Sequence, residues 1–264
     1  MTTRRLTFES AARTHVGLVR EINEDSFVDR PLIGLWAVAD GMGGHEAGEV
    51  ASGLIAEGLR DVDTVSSGYA FLDEVRESLM RVNRTLVAKA SLLPAGKVIG
   101  STVVIVLAYD GHYACLWAGD SRAYLLRGGE LRRVSRDHSV VQELIDTGSL
   151  SLEDAKTYKR SNVITRAVGV DLNLSVDMKE GVIEPEDLFL LCSDGLTGLI
   201  EDHEIAVLIA NNPLEAAAER LIALTLERGA RDNVTVILVR AASCPDDTIG
   251  GGRSTFAAPQ AWSG

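Results

Sequence analysis

Amphipathic helices that come in pairs and strands that come in runs predict an α+β domain: two packed antiparallel β-sheets flanked by antiparallel helix pairs, an αββα sandwich. The strand-like stretches are short, continuously apolar and bounded by glycine or Asp-Gly, as buried strands are. Leu6 to Ala12 alternates loosely and opens the fold as a strand, and Gly34 to Ala39 is an apolar run that ends at Asp40. Gly41-Met42-Gly43-Gly44 then lets the backbone turn tightly. Glu46 to Leu59 carries Val50, Leu54, Ile55 and Leu59 at helical spacing, and Phe71 to Ala90 sets Leu72, Val75, Leu79, Val82 and Leu86 on one face.

After Gly100 the pattern changes to strands: Ser101 to Tyr109, the hairpin signal Asp110-Gly111, Tyr113 to Ala118, then Arg122 to Leu126 with a turn at Gly128-Gly129. These segments are expected to form one antiparallel meander. Arg136 to Arg166 is polar and mixed, with a short helical stretch at Ser139 to Asp146, and reads as a flap over a site. Two further strands, Leu188 to Ser193 and Val234 to Arg240, flank a helical region that includes Pro213 to Arg228. Residues 1–241 are expected to form one catalytic domain, and 242–264, rich in Gly, Ser, Ala and Pro, a flexible tail.

The chain has 264 residues, 46% of them apolar, enough for one well-cored domain. Its 26 basic against 38 acidic side chains give a net charge of −12, which argues against nucleic acid as partner. Three cysteines without metal-type spacing (Cys115, Cys192, Cys244) suit buried thiols in a reducing cytoplasm. No apolar leader is evident, and the longest apolar run, Val103 to Tyr109, is too short to span a membrane.

Four aspartates, Asp40, Asp120, Asp194 and Asp232, lie next to apolar stretches, so folding could gather four carboxylates at one pole of a sheet. Carboxylates that close repel unless a cation separates them, and a site without His or Cys suits Mg²⁺ or Mn²⁺. Asp40 has two oxygens with which to bridge two ions, the Gly41 carbonyl can approach a cation closely, and Asp194 and Asp232 could complete the shell. Two ions about 3.5–4 Å apart would activate a water and neutralise a phosphoryl group. Arg20 offers a planar fork for phosphate oxygens, while Glu24 and Asp25 could hold metal-bound waters.

The ordered motifs Arg20 with Asn23-Glu24-Asp25, Asp40-Gly41-Met42-Gly43-Gly44-His45, Gly100-Ser101-Thr102, Gly119-Asp120-Ser121-Arg122, Asp137-His138-Ser139, Thr165-Arg166-Ala167-Val168-Gly169, Ser193-Asp194-Gly195 and Asp232-Asn233 resemble those of the metal-dependent protein phosphatases (PPM, or type 2C serine/threonine phosphatases) in their short bacterial form. Singly, an Asp-Gly pair is a turn and Arg20 a surface ion pair; the reading rests on the set. The resemblance implies a phosphoserine/phosphothreonine protein phosphatase that opposes a Ser/Thr kinase. Asp40, Gly41, Asp194 and Asp232 would hold two Mn²⁺ or Mg²⁺ ions, Glu24 would act through water, Arg20 would clamp substrate phosphate, and Asp120 with Asp194 would hold a third, weaker ion. Met42 stands where animal members carry a histidine proposed as general acid, which leaves that role to His45 or a metal-bound water, the water being favoured.

Two other readings stay open: a pseudophosphatase that only binds phosphoproteins, and a phosphoesterase acting on small molecules. In the tail, Thr248 beside Asp246 and Asp247 is a candidate phosphorylation site for a phosphothreonine-binding partner.

Overall fold

The computed structural model describes residues 6–43, 47–63, 66–94, 97–155, 158 and 163–243. The first sheet has the order β1-β11-β10-β7-β8, built from β1 (Leu6–His15), β7 (Arg122–Arg127), β8 (Glu130–Arg133), β10 (Leu188–Cys192) and β11 (Val234–Ser243). The second runs β2-β3-β5-β6-β9, from β2 (Asp25–Arg30), β3 (Leu35–Met42), β5 (Val103–Tyr109), β6 (His112–Ala118) and β9 (Asp177–Val182), with the two-residue β4 (Gly100–Ser101) paired to the end of β3. Every pairing is antiparallel, as expected. Helices α1 (Ala47–Arg60) and α2 (Gly68–Ala90) cover one sheet, while α5 (Asp194–Thr197), α6 (Asp202–Ala210) and α7 (Leu214–Glu227) cover the other.

Strict alternation along the central strands builds three apolar layers. On β5, Val103, Ile105 and Leu107 face α1 and α2, whereas Val104 and Val106 face the other sheet. On β10, Leu188, Leu190 and Cys192 face α6 and α7, whereas Phe189 and Leu191 enter the layer between the sheets. Both faces are buried, which is why these strands read as continuous apolar runs.

The expected meander is divided between the sheets. β5 and β6 form a hairpin through Asp110 and Gly111, both at positive φ (47° and 76°), but β7 and β8 belong to the opposite sheet. The chain crosses at Gly119, whose φ of 116° and close approach to the Thr102 side chain leave no room for a Cβ. Nor does β3 stop before Asp40; β4 pairs with Gly41 and Met42 and keeps the strand extended to Met42. The last strand continues to Ser243, two residues beyond the boundary expected at 241, because Ala242 and Ser243 pair with Thr7 and Leu6. Within the expected flap, α3 (Val140–Asp146) and α4 (Leu152–Ala155) form, and α3 has no buried residue.

Candidate metal centre

The site lies where the two sheets come together at one pole. Asp25 and Asp40 are register partners across β2 and β3. Asp25 Oδ2 accepts hydrogen bonds from Ser193 Oγ (2.8 Å) at the end of β10 and Thr235 Oγ1 (2.7 Å) on β11, so one carboxylate joins both sheets. Its other oxygen, Oδ1, is buried without a hydrogen-bond partner. An orphaned carboxylate oxygen inside a protein is costly, and it suits a bound cation or its water.

Asp40 is fixed through its backbone. Its N–H donates to Thr102 Oγ1 (3.1 Å), and its carbonyl accepts from Thr102 N (2.9 Å) and Ser101 Oγ (3.0 Å). Gly100-Ser101-Thr102 therefore clamps the strand that presents Asp40. Gly41 is not a turn residue here: its φ is not positive, and a Cβ on it would run into the Gly48 carbonyl and lie 2.7 Å from Glu24 O. It permits α1 to dock directly on β3. Gly48 N donates to Glu24 Oε1 (3.2 Å), holding Glu24 at the start of α1.

Electrostatics mark the same pole. Burial, then the charges of Asp25, Asp194, Asp120 and Asp232, hold the Asp40 carboxyl well above the usual carboxylate range. Asp25 is pushed up to about 7 by burial, against hydrogen bonds from Thr235 and Ser193. Asp120 rises to about 7 through burial and the neighbouring Asp194 and Asp137. Asp194, the first residue of α5, is raised by burial and Asp232, with a hydrogen bond to Asp40 opposing the rise. So many carboxylates cannot all ionise together without a cation.

Among the described residues no three such side chains are already drawn into one metal shell. Their present partners are two hydroxyls for Asp25 and, for Asp232 Oδ2, an Arg20 guanidinium N at 2.9 Å. The donor set itself, hard oxygens on two strands and two strand ends, fits Mg²⁺ or Mn²⁺.

Arg20 is half exposed on the loop between β1 and β2, where it pairs with Asp232. His138 caps the far side: its backbone N–H donates to Gly119 O (2.9 Å), its Nδ1 accepts from Gly119 N (3.2 Å), and Nε2 meets Asp177 at 3.2 Å. It ties the base of the flap to the turn carrying Asp120. His45, Cys244 and Thr248 lie outside the described residues. Sequence reasoning missed the supporting hydroxyls of Ser193, Thr235 and Ser121 and the contact at Gly48. Ser193, directly before Asp194-Gly195, and Ser121, directly after Asp120 and 2.7 Å from Thr102 Oγ1, stood in quoted motifs as hydroxyl neighbours; Thr235 did not.

A sequence profile described as "Protein phosphatase 2C" matches residues 11–144. The serine/threonine protein phosphatase PstP of Mycobacterium tuberculosis is 36% identical over 234 residues, covering 88% of this chain and 45% of that protein. The chain belongs to the protein phosphatase 2C family. It spans a little under half the length of the mycobacterial relative. Among solved structures, PppA of Pseudomonas aeruginosa, described as a key regulatory component of T6SS, superimposes with a TM-score of 0.83 at 43% identity, over 90% of this chain and 100% of that one. The catalytic domain of PstP in complex with two manganese ions gives 0.78 at 36% identity, over 90% and 100%. This phosphatase 2C chain shares with them the α+β architecture of two antiparallel sheets and helices, and the manganese pair belongs to a relative of the same fold.

Proposed function

We propose that this chain is a protein serine/threonine phosphatase that hydrolyses phosphoserine and phosphothreonine in proteins and reverses a cytoplasmic Ser/Thr kinase. The observation that carries the reading is the pole of carboxylates with raised pKa, including the orphaned Asp25 oxygen, beside an exposed Arg20. In this reading Asp40, the Gly41 carbonyl, Asp194 and Asp232 hold two Mn²⁺ or Mg²⁺ ions, Glu24 acts through water, and Asp120 with Asp194 holds a third. Bound there, the ions supply charge neutralisation and an activated water for attack at phosphorus.

The protein's own contribution is placement. Ser193 and Thr235 hold the Asp25 carboxylate, and Thr102 and Ser101 hold the backbone of Asp40. Arg20, able to leave Asp232 for a phosphate, orients the substrate by a bidentate contact. Met42 cannot donate a proton, so protonation of the leaving alkoxide falls to water at the site. Both described cysteines are buried and free, in keeping with a reducing compartment, and no described helix is long and apolar enough to cross a membrane.

The test is release of phosphate from a phosphothreonine peptide by wild type and Asp194→Asn in Mn²⁺, Mg²⁺ and EDTA. Turnover that needs metal and is lost in the variant supports the reading. A folded wild type without turnover in either metal leaves a phosphoprotein-binding module instead.

A further inference from the structure

The loop from Val16 to Glu24 is held rigidly yet presents apolar side chains to solvent. Gly17 N donates to His15 Nδ1 (2.9 Å) and Leu18 N to Ala230 O (2.8 Å). Asn233 ties the loop from below: its Nδ2 donates to Val16 O (2.9 Å) and Ile22 O (3.0 Å), and its Oδ1 accepts from Glu24 N (2.8 Å). Gly17 is buried against the Asp232 carbonyl, so the loop cannot shift as a whole without disturbing the Asp232 end of the site.

On this fixed backbone Leu18 is 62% exposed, Val19 65% and Ile22 39%, with Arg20 between them. Isolated exposed apolar residues are ordinary, but here three fall within five positions around Arg20, the proposed phosphate clamp. Nothing in the fold needs them outside: the loop is fastened by backbone groups and Asn233, not by these side chains. A loop ordered in advance loses little entropy when a ligand covers it, so apolar contacts made there are well placed to select substrate.

We propose that Leu18 and Val19, with Ile22, form a ledge beside Arg20 that selects phosphopeptides carrying apolar side chains next to the phosphorylated residue. This rests on the reading of the chain as a protein phosphatase and names the substrate class that site prefers. The ledge acts in binding: an apolar flank covers Leu18 and Val19 while the phosphate meets Arg20, so the preference appears in KM and leaves kcat similar.

The test compares two phosphothreonine peptides, one with leucine on both sides of the phosphoresidue and one with glycine, at saturating Mn²⁺. Wild type should favour the leucine peptide about tenfold in kcat/KM, the scale of a small apolar contact. The double variant Leu18→Ser, Val19→Ser should bring the ratio close to one, and Val19→Thr, which keeps the side-chain shape, should lower it by about threefold. Leu32→Ser, at a fully exposed leucine elsewhere, should keep the wild-type ratio. A wild-type ratio near one, or a ratio that survives both ledge substitutions in folded protein, overturns the ledge. Absence of turnover on either peptide by wild type overturns the phosphatase reading instead.

Discussion

Gly48→Ala and Gly53→Ala make the same chemical change five residues apart in α1, and they should move stability in opposite directions. Helix propensity favours alanine over glycine by about 1 kcal/mol at either position. At Gly53 a methyl group meets nothing within 4 Å, so the variant should gain about 0.5–1 kcal/mol and melt roughly 1–4 °C higher. At Gly48 the methyl would fall 2.7 Å from Glu24 Cδ and 2.8 Å from the carbonyl carbon of Gly41, well inside ordinary contact. Relief requires the Glu24 carboxylate to abandon its 3.2 Å bond from Gly48 N and α1 to lift from β3. Overpacking costs about 1–3 kcal/mol and a charge-assisted hydrogen bond about 1.5 kcal/mol, so after the propensity gain the net loss is about 1.5–3.5 kcal/mol, or roughly 3–14 °C. Thermal melts of both variants in EDTA, with activity titrated against Mn²⁺, read the effect; Gly48→Ala should also need more Mn²⁺ because Glu24 has moved. A Gly48→Ala protein that melts at or above wild type with an unaltered Mn²⁺ requirement would refute the close helix-strand approach and the part given to Glu24.

Two further outcomes follow from the electrostatics. Asp40→Asn removes a buried carboxyl that burial and its acidic neighbours hold well above the usual range, a cost to folding near neutrality, so in EDTA it should melt above wild type, by on the order of 1–3 kcal/mol, yet fail to gain the roughly 4 kcal/mol that Mn²⁺ at a thousandfold Kd gives wild type; calorimetry with and without Mn²⁺ checks both, and a less stable variant in EDTA speaks against that cost. Glu204 is held down to about 2 by Arg228 and by the Glu201 N–H of its capping box. A depressed carboxyl contributes stability that is present above its unfolded value near 4.5 and lost as pH falls through the folded value. The melting-point advantage of wild type over Glu204→Gln should therefore be constant near neutrality, shrink below pH of about 4.5 and close near 2; an advantage independent of pH down to 2 contradicts the ion pair.

The central strands and the long helices were legible in the sequence because burial on both faces or one amphipathic stripe leaves a strong pattern. β2 and β9 were not. Both are edge strands, and β9, Asp-Met-Lys-Glu-Gly-Val, is mostly exposed, so only pairing to β6 makes it a strand. The division of β5 to β8 between two sheets was equally hidden, since a local turn signal cannot say which sheet the next strand joins. At the site, the aspartates and Arg20 stood out by residue type. The groups that hold them did not: Thr235 sits in an apolar strand, and Gly48 looks like any helix glycine until β3 is placed against it. Asp-Gly also misleads as a turn signal, for Gly41 serves a close approach within an extended strand.

The carboxylate of Asp25 is grasped by a hydroxyl 210 positions further along the chain, and β1 closes its sheet only by pairing with β11. Contacts so distant in sequence form late, after the entropy of closing long loops has been met. In the proposed reading, competence to hold metal would arrive only with the final strand, and a nascent or C-terminally shortened chain, however well its first hairpins fold, would carry the aspartates without the hydroxyl of Thr235 that holds Asp25.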